Sequence, residues 1–164
     1  MSREARIQKT NAMRELEAAG VAYEALAYDD HGDTTTAYGL RAALATGQDP
    51  DSVFKTLVCV SPAGEHVVCV VPVASEIDLK RAAEAAGAKS LSLVGASELE
   101  ELTGYVRGGC TPVGMKRRFP TLIDETAELY ERIGISGGRR GLSLVVDRAG
   151  LVELTGAVLA DIAR

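Results

Sequence analysis

Histidine and cysteine are scarce in this 164-residue sequence, and their scarcity excludes several kinds of site. The two histidines, His31 and His66, have no metal-ligand spacing with each other or with a cysteine, so no zinc site is expected. We expect no other metal and no cofactor. The three cysteines are an odd number in a chain without a secretory signal, which predicts free thiols rather than a disulfide framework.

Long apolar runs are absent as well. No run approaches the ~18 residues that a membrane-spanning helix needs, which excludes such a helix. The N-terminus, MSREARIQKTNAMRELEAAG, is charged and has helical periodicity, so it is not a secretory signal. Together these absences predict a soluble, cytoplasmic protein with no membrane partner.

The composition is that of an ordinary globular protein, with 46% hydrophobic and 25% charged residues and no linker or internal repeat. We therefore predict a single domain over residues 1–164. Its fold class is α/β with mixed α+β character: a mixed, mostly antiparallel sheet with flanking helices. Thr36 and Ser75 are expected to cap helices, and Gly87 to end one. Helices are predicted over 4–19, 37–44, 75–87, 96–104 and 149–155, and strands over 21–28, 53–60, 66–73, 90–94, 121–124, 130–135 and 142–146.

The clearest hairpin joins strands 53–60 and 66–73. Their near-continuous hydrophobicity predicts that both strands are covered on both faces, with Cys59 and Cys69 in the core. Lys55 is out of place in such a strand, because burying an ammonium is costly without a partner. It is either a functional cation or a lysine whose stem packs while its head reaches water, and the pattern alone leaves both readings open.

Charge is unevenly distributed along the chain. The net charge of −5 argues against a general nucleic-acid binder. However, residues 1–54 carry five Lys/Arg against nine Asp/Glu, whereas residues 104–140 carry seven against four. A basic district of this kind in an acidic protein can still dock one polyanion at one place.

The basic residues accompany two glycine-rich segments, a first glycine loop at 104–114 and a second at 135–141. The adjacent glycines of the first loop let the backbone approach a ligand closely and aim N–H groups at it, although taken alone the loop is better explained as a plain turn that requires φ > 0. Neither is a Walker loop or a GxGxxG motif. The runs MKRR (115–118) and GGRRG (137–141) read singly as solvated charge, but two such loops converging at one sheet edge predict a phosphate-accepting rim.

An activated nucleophile is hard to assemble from this sequence. Cys110 lies in the first glycine loop, but neither histidine is placed to activate it, and no GxSxG elbow is present. We therefore expect Cys110 to have a packing role. An enzyme built this way would position and polarise its substrate rather than attack it covalently.

Four segments, in this order and spacing, resemble one family: FKTLVCV (54–60), VPVASEIDLKRAAEAAGAKSLSL (71–93), TGYVRGGCTPVGMKRRFPTLID (103–124) and ISGGRRGLSLVV (135–146). They resemble the YbaK/EbsC family of aminoacyl-tRNA deacylases, which is related to the editing insertion of bacterial prolyl-tRNA synthetase. The resemblance covers nearly the full length and implies a free-standing editing factor with its site beside the first glycine loop. The partners it implies are the acceptor end of aminoacyl-tRNA and, in a transient complex, prolyl-tRNA synthetase.

The resemblance also implies roles for individual residues. The essential lysine of the family corresponds to Lys55, which favours the functional reading of that residue. The backbone that holds the aminoacyl ester corresponds to Gly108 and Gly109. Substrate-binding positions correspond to Tyr28, Tyr38, Thr111 and Ser136. We expect the acceptor-stem phosphates to be contacted by Lys116, Arg117, Arg118, Arg139 and Arg140.

The substrate implied by the best-known branch is Cys-tRNA(Pro), with Cys-tRNA(Cys) as a second; the cysteine thiol attacks its own ester and leaves as a thiolactone. The chain departs from the family pattern in two places. Cys110-Thr111-Pro112 replaces Ile-Ser-Pro, which keeps a hydroxyl and puts a thiol beside the site. Ala27 precedes Tyr28 in a segment that helps form the amino-acid pocket, and this departure bears on substrate choice. One alternative is a deacylase of Ala-tRNA(Pro) or another small aminoacyl-tRNA that uses water. Another is a non-catalytic module that binds aminoacyl-tRNA or the synthetase.

Overall fold

A computed structural model of the protein describes residues 7–33 and 37–164. Within these ranges no helix is long and apolar enough to cross a membrane. Five α-helices and eight strands are found there: α1 (Asn11–Ala18), β1 (Tyr23–Ala27), α2 (Tyr38–Ala45), β2 (Phe54–Val60), β3 (His66–Pro72), α3 (Leu79–Ala86), β4 (Ser92–Leu93), α4 (Ala96–Thr103), β5 (Thr121–Asp124), β6 (Arg132–Ser136), β7 (Leu142–Asp147), α5 (Arg148–Thr155) and β8 (Val158–Ala160). Short 3₁₀ turns cover Pro50–Ser52 and Glu125–Leu129.

The strands form two hydrogen-bonded sheets rather than one. A three-stranded antiparallel sheet has the order β1-β7-β6, and a five-stranded mixed sheet has the order β4-β2-β3-β5-β8. In the second sheet β2 is antiparallel to both neighbours, while β5 runs parallel to β3 and to β8. A parallel bridge between Val53 and Gly134 joins the two sheets. The predicted fold class, a mixed and mostly antiparallel α/β arrangement, is confirmed.

Strand β3 separates two apolar clusters. Val68 and Val70 point into a cluster that also contains Leu16 of α1 and Leu151 of α5. The intervening side chains of β3 point into a second cluster under α3. Cys59 and Cys69 are fully buried in that second cluster, as predicted.

Strand β2 departs from the prediction that both hairpin strands are covered throughout. Lys55 and Leu57 are only partly buried, whereas Phe54 and Val58 on the other face are in the core. The hydrophobic run of β2 therefore does not mean complete coverage, because one face of its first half borders a cavity.

Some predicted element ends were wrong because side-chain caps placed them elsewhere. Helix α1 begins at Asn11 rather than at residue 4, since the Thr10 hydroxyl accepts a hydrogen bond from the amide of Met13. Helix α3 is capped by Asp78 rather than Ser75, and Gly87 ends it in the left-handed conformation as predicted.

The predicted cap Thr36 and the first residues of the N-terminal helix prediction lie outside the described residues. Strand β8 was missed: it is three residues long and pairs only with β5 at the edge of the sheet. Such a short strand has too little alternation to be seen in a sequence.

A buried carboxylate holds residues 162–163 against the end of β5. Asp124 is 1% exposed, and its Oδ1 accepts hydrogen bonds from the amides of Ile162 and Ala163, both at 3.0 Å. Its Oδ2 accepts from the amide of Thr126 at 3.2 Å and from the hydroxyl of the same residue. A buried carboxylate is tolerated here because each oxygen has two donors.

We expect Asp124→Asn to lower the free energy of unfolding by about 2 kcal/mol. The substitution replaces one carboxylate oxygen with an amide nitrogen, which cannot accept the two hydrogen bonds that this oxygen accepts. Urea unfolding followed by circular dichroism measures this. The control is Asp161→Asn, which removes an exposed ion pair with Arg81 at 3.2 Å. That change should cost less than about 0.5 kcal/mol, and equal losses in the two variants would contradict the role given to Asp124.

Candidate active site

A cavity of about 490 Å³ lies where α2, β2 and the two glycine loops meet. Its wall also includes the segment before α3, part of β7 and Tyr28, which follows β1. A cavity of this size suits a small-molecule group or the end of a larger ligand. Of the residues predicted from the sequence, the wall contains Lys55, Gly108, Tyr28, Tyr38, Ser136 and Arg140.

Lys55 projects from β2 into this cavity, opposite Val71 in the sheet register. Burial lowers the pKa of the Lys55 ammonium, and the negative charge of Glu76 opposes that lowering. Within the described part of the chain the ammonium makes no hydrogen bond or ion pair. A partly buried cation without a partner is suited to an anionic or carbonyl oxygen that a ligand brings.

The two glycine loops converge at this cavity. A methyl group on Gly109 would lie 2.9 Å from the Cα of Arg139, so the loops pack backbone against backbone. The Ser136 hydroxyl donates to the carbonyl of Gly108 at 3.4 Å and so links the loops. The amide of Gly109 donates to the carbonyl of Val106 at 2.9 Å. That amide is therefore engaged in the turn, and Gly109 lies behind the cavity wall rather than in it.

Arg140 connects three segments around the cavity. Its guanidinium carbon lies 4.1 Å from the centroid of the Tyr38 ring. Its Nε donates to Asp30 Oδ2 at 2.9 Å, and its Nη1 donates to the carbonyl of Arg107 at 3.2 Å. A methyl group on Gly108 would lie 2.6 Å from Nη1, so the guanidinium can occupy this position only beside a glycine. Through these contacts Arg140 joins parts of the cavity wall, and its predicted contact with phosphates stays a prediction.

Tyr28 and Tyr38 form the part of the wall beside Arg140. Their hydroxyl oxygens are 2.6 Å apart, and the Tyr38 hydroxyl also accepts from the amide of Gly141 at 2.9 Å. Burial and the neighbouring hydroxyl raise the pKa of Tyr28, so it remains a neutral phenol. The pair presents to the cavity two rings whose hydroxyl groups are in contact.

Cys110 lines the cavity but is not an activated thiol. It is 7% exposed, and burial raises the pKa of its thiol to about 12. Among the described residues of the wall there is no histidine to take its proton. Thr111 is fully buried and lies outside the wall, so its hydroxyl is not presented to a ligand.

The MKRR run (115–118) lies elsewhere. Lys116 donates to the carbonyl of Glu101 at 3.3 Å, Arg117 stacks 4.7 Å from the Phe119 ring centroid, and Arg118 donates to the carbonyl of Leu154 at 2.8 Å. None of the three is in the cavity wall. The two glycine loops thus meet at the cavity, but residues 116–118 do not line it.

Three charged residues of the wall were not predicted: Glu76, Arg107 and Arg164. Arg107 is exposed and directly precedes the paired glycines, a position that could have marked it. Glu76 and Arg164 are far apart in the sequence, and only the folded chain brings them together. Arg139 is exposed beside the loops without entering the wall.

Comparison with known proteins shows which family this chain resembles in sequence. The family model that describes an aminoacyl-tRNA editing domain matches residues 33–154. A protein of Enterococcus faecalis, provisionally named Cys-tRNA(Pro)/Cys-tRNA(Cys) deacylase EbsC, is 39% identical over 155 residues. That alignment covers 94% of this chain and 93% of the relative.

Solved structures give the same result. A crystal structure described provisionally as a trans-editing enzyme for prolyl tRNA synthetase superimposes with a TM-score of 0.80 at 27% identity, and the match covers 100% of this chain and 99% of the other. A hypothetical protein, APE2540, superimposes with a TM-score of 0.83 at 28% identity, over 94% of this chain and 100% of the other.

The burial of Lys55 generates a pH-dependent prediction. After reductive ¹³C-methylation, we expect Lys55 to titrate at lower pH than the other lysines, because burial disfavours its charged form. NMR titration measures this, and a Lys55 signal that titrates together with the others would contradict it.

The same shift has a consequence for stability. A lysine whose pKa is lowered by folding costs stability while both states are protonated, so Lys55→Met should be at least as stable as the wild type at neutral pH. That advantage should shrink as the pH rises through the lowered pKa toward 10.5, the ordinary value. Urea unfolding at several pH values tests the sign.

Gly108→Ala should displace Arg140, because the new methyl group would lie 2.6 Å from Nη1. In an NMR spectrum we expect the Arg140 Nε–H resonance to shift or disappear, because the hydrogen bond to Asp30 that slows exchange of this proton with water would be lost. Gly64→Ala is the matched control, since its φ of +83° is close to the +86° of Gly108 but nothing lies within 4 Å of the added carbon. Both variants should lose about 1 kcal/mol of stability to backbone strain. An Arg140 resonance that is unchanged in Gly108→Ala would show that the guanidinium does not need a glycine at position 108.

Proposed function

The chain belongs to the aminoacyl-tRNA editing domain family and is an aminoacyl-tRNA deacylase, and from this premise we propose that it removes cysteine from mischarged tRNA(Pro). Cys-tRNA(Cys) is the second proposed substrate. The name of the Enterococcus faecalis relative, which covers both esters, supports this choice. We place the reaction in the cytoplasm, where tRNA is charged.

One observation carries the proposal: the cavity has cations and fixed rings but no activated nucleophile among its described residues. Its one thiol, Cys110, is held protonated by burial. A site of this kind suits a substrate that supplies its own nucleophile. The cysteinyl ester does so, because its thiol lies two carbons from the ester carbonyl.

In the proposed reaction the substrate sulfur attacks the carbonyl carbon of its own ester. A carbon–sulfur bond forms, the bond from that carbon to the ribose oxygen breaks, and the thiol proton ends on the ribose oxygen. The products are a thiolactone of cysteine and free tRNA. The protein has to orient the thiol, stabilise the developing charge on oxygen and keep out unproductive poses.

Lys55 is the proposed source of that charge stabilisation. Its ammonium has no partner in the described chain and faces the cavity, so it can neutralise charge on the ester oxygens or on the terminal adenosine. The neighbouring wall residues Gly108 and Ser136 would fix the ester, and Tyr28 and Tyr38 would bound the amino-acid side chain.

The proposed tRNA contacts fall into two groups. Arg139 is exposed beside the glycine loops and suits the phosphates nearest the ester. Lys116, Arg117 and Arg118 lie outside the cavity wall, so we assign them to the acceptor stem. Such contacts are salt-dependent and insensitive to sequence. Prolyl-tRNA synthetase, in a transient complex, is the proposed source of tRNA specificity.

A second candidate substrate is Ala-tRNA(Pro), cleaved by water. The cavity of about 490 Å³ that admits cysteine also admits the smaller alanine. Binding alone discriminates weakly between side chains that differ by so little. Only the need for a thiol would exclude the alanyl ester.

We expect the wild type to deacylate Cys-tRNA(Pro) and Cys-tRNA(Cys) and to leave Ala-tRNA(Pro) intact. Lys55→Ala should lower the rate by about 100-fold, the usual cost of removing one group that stabilises an oxyanion. Lys89→Ala, an exposed lysine away from the cavity, is the control and should be fully active. Hydrolysis of the alanyl ester would favour the water-dependent reaction, and no hydrolysis above the blank would refute the proposal.

A further inference from the structure

The charged groups of the cavity wall are strongly unequal in sign. Four cations are present among its described residues, Lys55, Arg107, Arg140 and Arg164, and one carboxylate, Glu76. An aminoacyl ester on tRNA has the complementary distribution, with phosphates on one side of the ester and one α-ammonium on the other. Two of these cations are already paired, Arg140 with Asp30 at 2.9 Å and Arg164 with Glu76 at 3.3 Å. Lys55 and Arg107 make no ion pair within the described residues and are the cations left to face the phosphates.

Glu76 is fixed at the rim by a segment distant in sequence. Its amide donates to the carbonyl of Arg164 at 3.1 Å, and the amide of Arg164 donates back to Glu76 at 2.8 Å. Two residues along, the amide of Asp78 donates to the carbonyl of Ile162 at 2.7 Å. These hydrogen bonds fix the backbone of Glu76 beside the cavity, so the Cα from which its carboxylate side chain extends has a defined position.

The Glu76 carboxylate retains accepting capacity. Arg164 Nη2 approaches Oε2 at 3.3 Å, and Oε1 has no partner within the described part of the chain. The side chain is 75% exposed, so a ligand can reach it. Glu76 and Lys55 both line the cavity, and the negative charge of Glu76 opposes the lowering of the Lys55 pKa.

We infer that Glu76 recognises the free α-ammonium of the aminoacyl ester and thereby selects esters whose amino group is unblocked. This inference rests on the proposed function. An α-ammonium that enters beside Lys55 would meet a like charge, and Glu76 offsets that repulsion. An N-acylated ester is neutral at nitrogen, as in formylaminoacyl- or peptidyl-tRNA, and gains nothing from the carboxylate.

The test compares Cys-tRNA(Pro) with N-acetyl-Cys-tRNA(Pro), which keeps the thiol and the ester but loses the positive charge. The wild type should prefer the free amine. Glu76→Gln should reduce that preference about 5-fold, a modest figure because the carboxylate is exposed. The loss should fall on kcat/KM of the free-amine substrate alone. Glu84→Gln, an exposed change on α3 outside the cavity wall, should leave the preference unchanged.

A second measurement does not depend on cleavage. Non-cleavable 3′-amide analogues of cysteinyl-adenosine, with and without the N-acetyl group, serve as inhibitors, and Glu76→Gln should weaken only the free-amine analogue. An unchanged preference, or equal losses for both substrates, would overturn the inference while leaving the deacylase intact. If the wild type cleaves neither ester, the proposed function fails and the inference fails with it, which is a different result.

Discussion

The seating of Arg140 beside Gly108 is the contact on which the cavity depends. One guanidinium stacks on Tyr38, donates to Asp30 and donates to the carbonyl of Arg107, so it joins α2, the segment after β1 and the first glycine loop. It can do so only because residue 108 has no side chain. The paired glycines therefore have a second role besides presenting backbone groups: without side chains they leave space for the Arg140 guanidinium and for the backbone of the second glycine loop.

The position of β2 explains why a lysine occurs in a hydrophobic strand. The strand lies within the five-stranded sheet and is also bridged at Val53 to the three-stranded sheet. Its inner face packs in the core, while the face that contains Lys55 borders the space between the sheets. Burial there lowers the pKa of the ammonium. A half-buried lysine that makes no hydrogen bond or ion pair within the described chain is consistent with the ligand-binding role proposed for it.

Sequence reasoning found the features that local patterns determine. The hairpin of β2 and β3, the glycine ends of helices and the burial of Cys59 and Cys69 follow from periodicity and backbone preference. Lys55 was marked by its contrast with the strand around it. The motifs then indicated the family before any fold was known.

Features that depend on distant segments could not be read in this way. The MKRR run (115–118) resembles the GGRRG run (137–141) in composition, yet its side chains contact α4, Phe119 and the end of α5. Thr111 follows the glycines directly but is turned into the core. Glu76 acquires its position only through hydrogen bonds to Arg164, and no spacing or periodicity links two residues so far apart.

The hydrogen bonds from residues 162–163 to Asp124 have a consequence for the order in which the chain folds on the ribosome. Strands β2, β3 and β5 are synthesised well before this segment, and chains generally begin to fold as they emerge. The rim around Glu76, however, is held by residues 162–164. A nascent chain can thus assemble much of its core while the cavity is still incomplete. The hydrogen bonds that fix the backbone at Glu76 and Asp78 can form only after residues 162–164 have been synthesised.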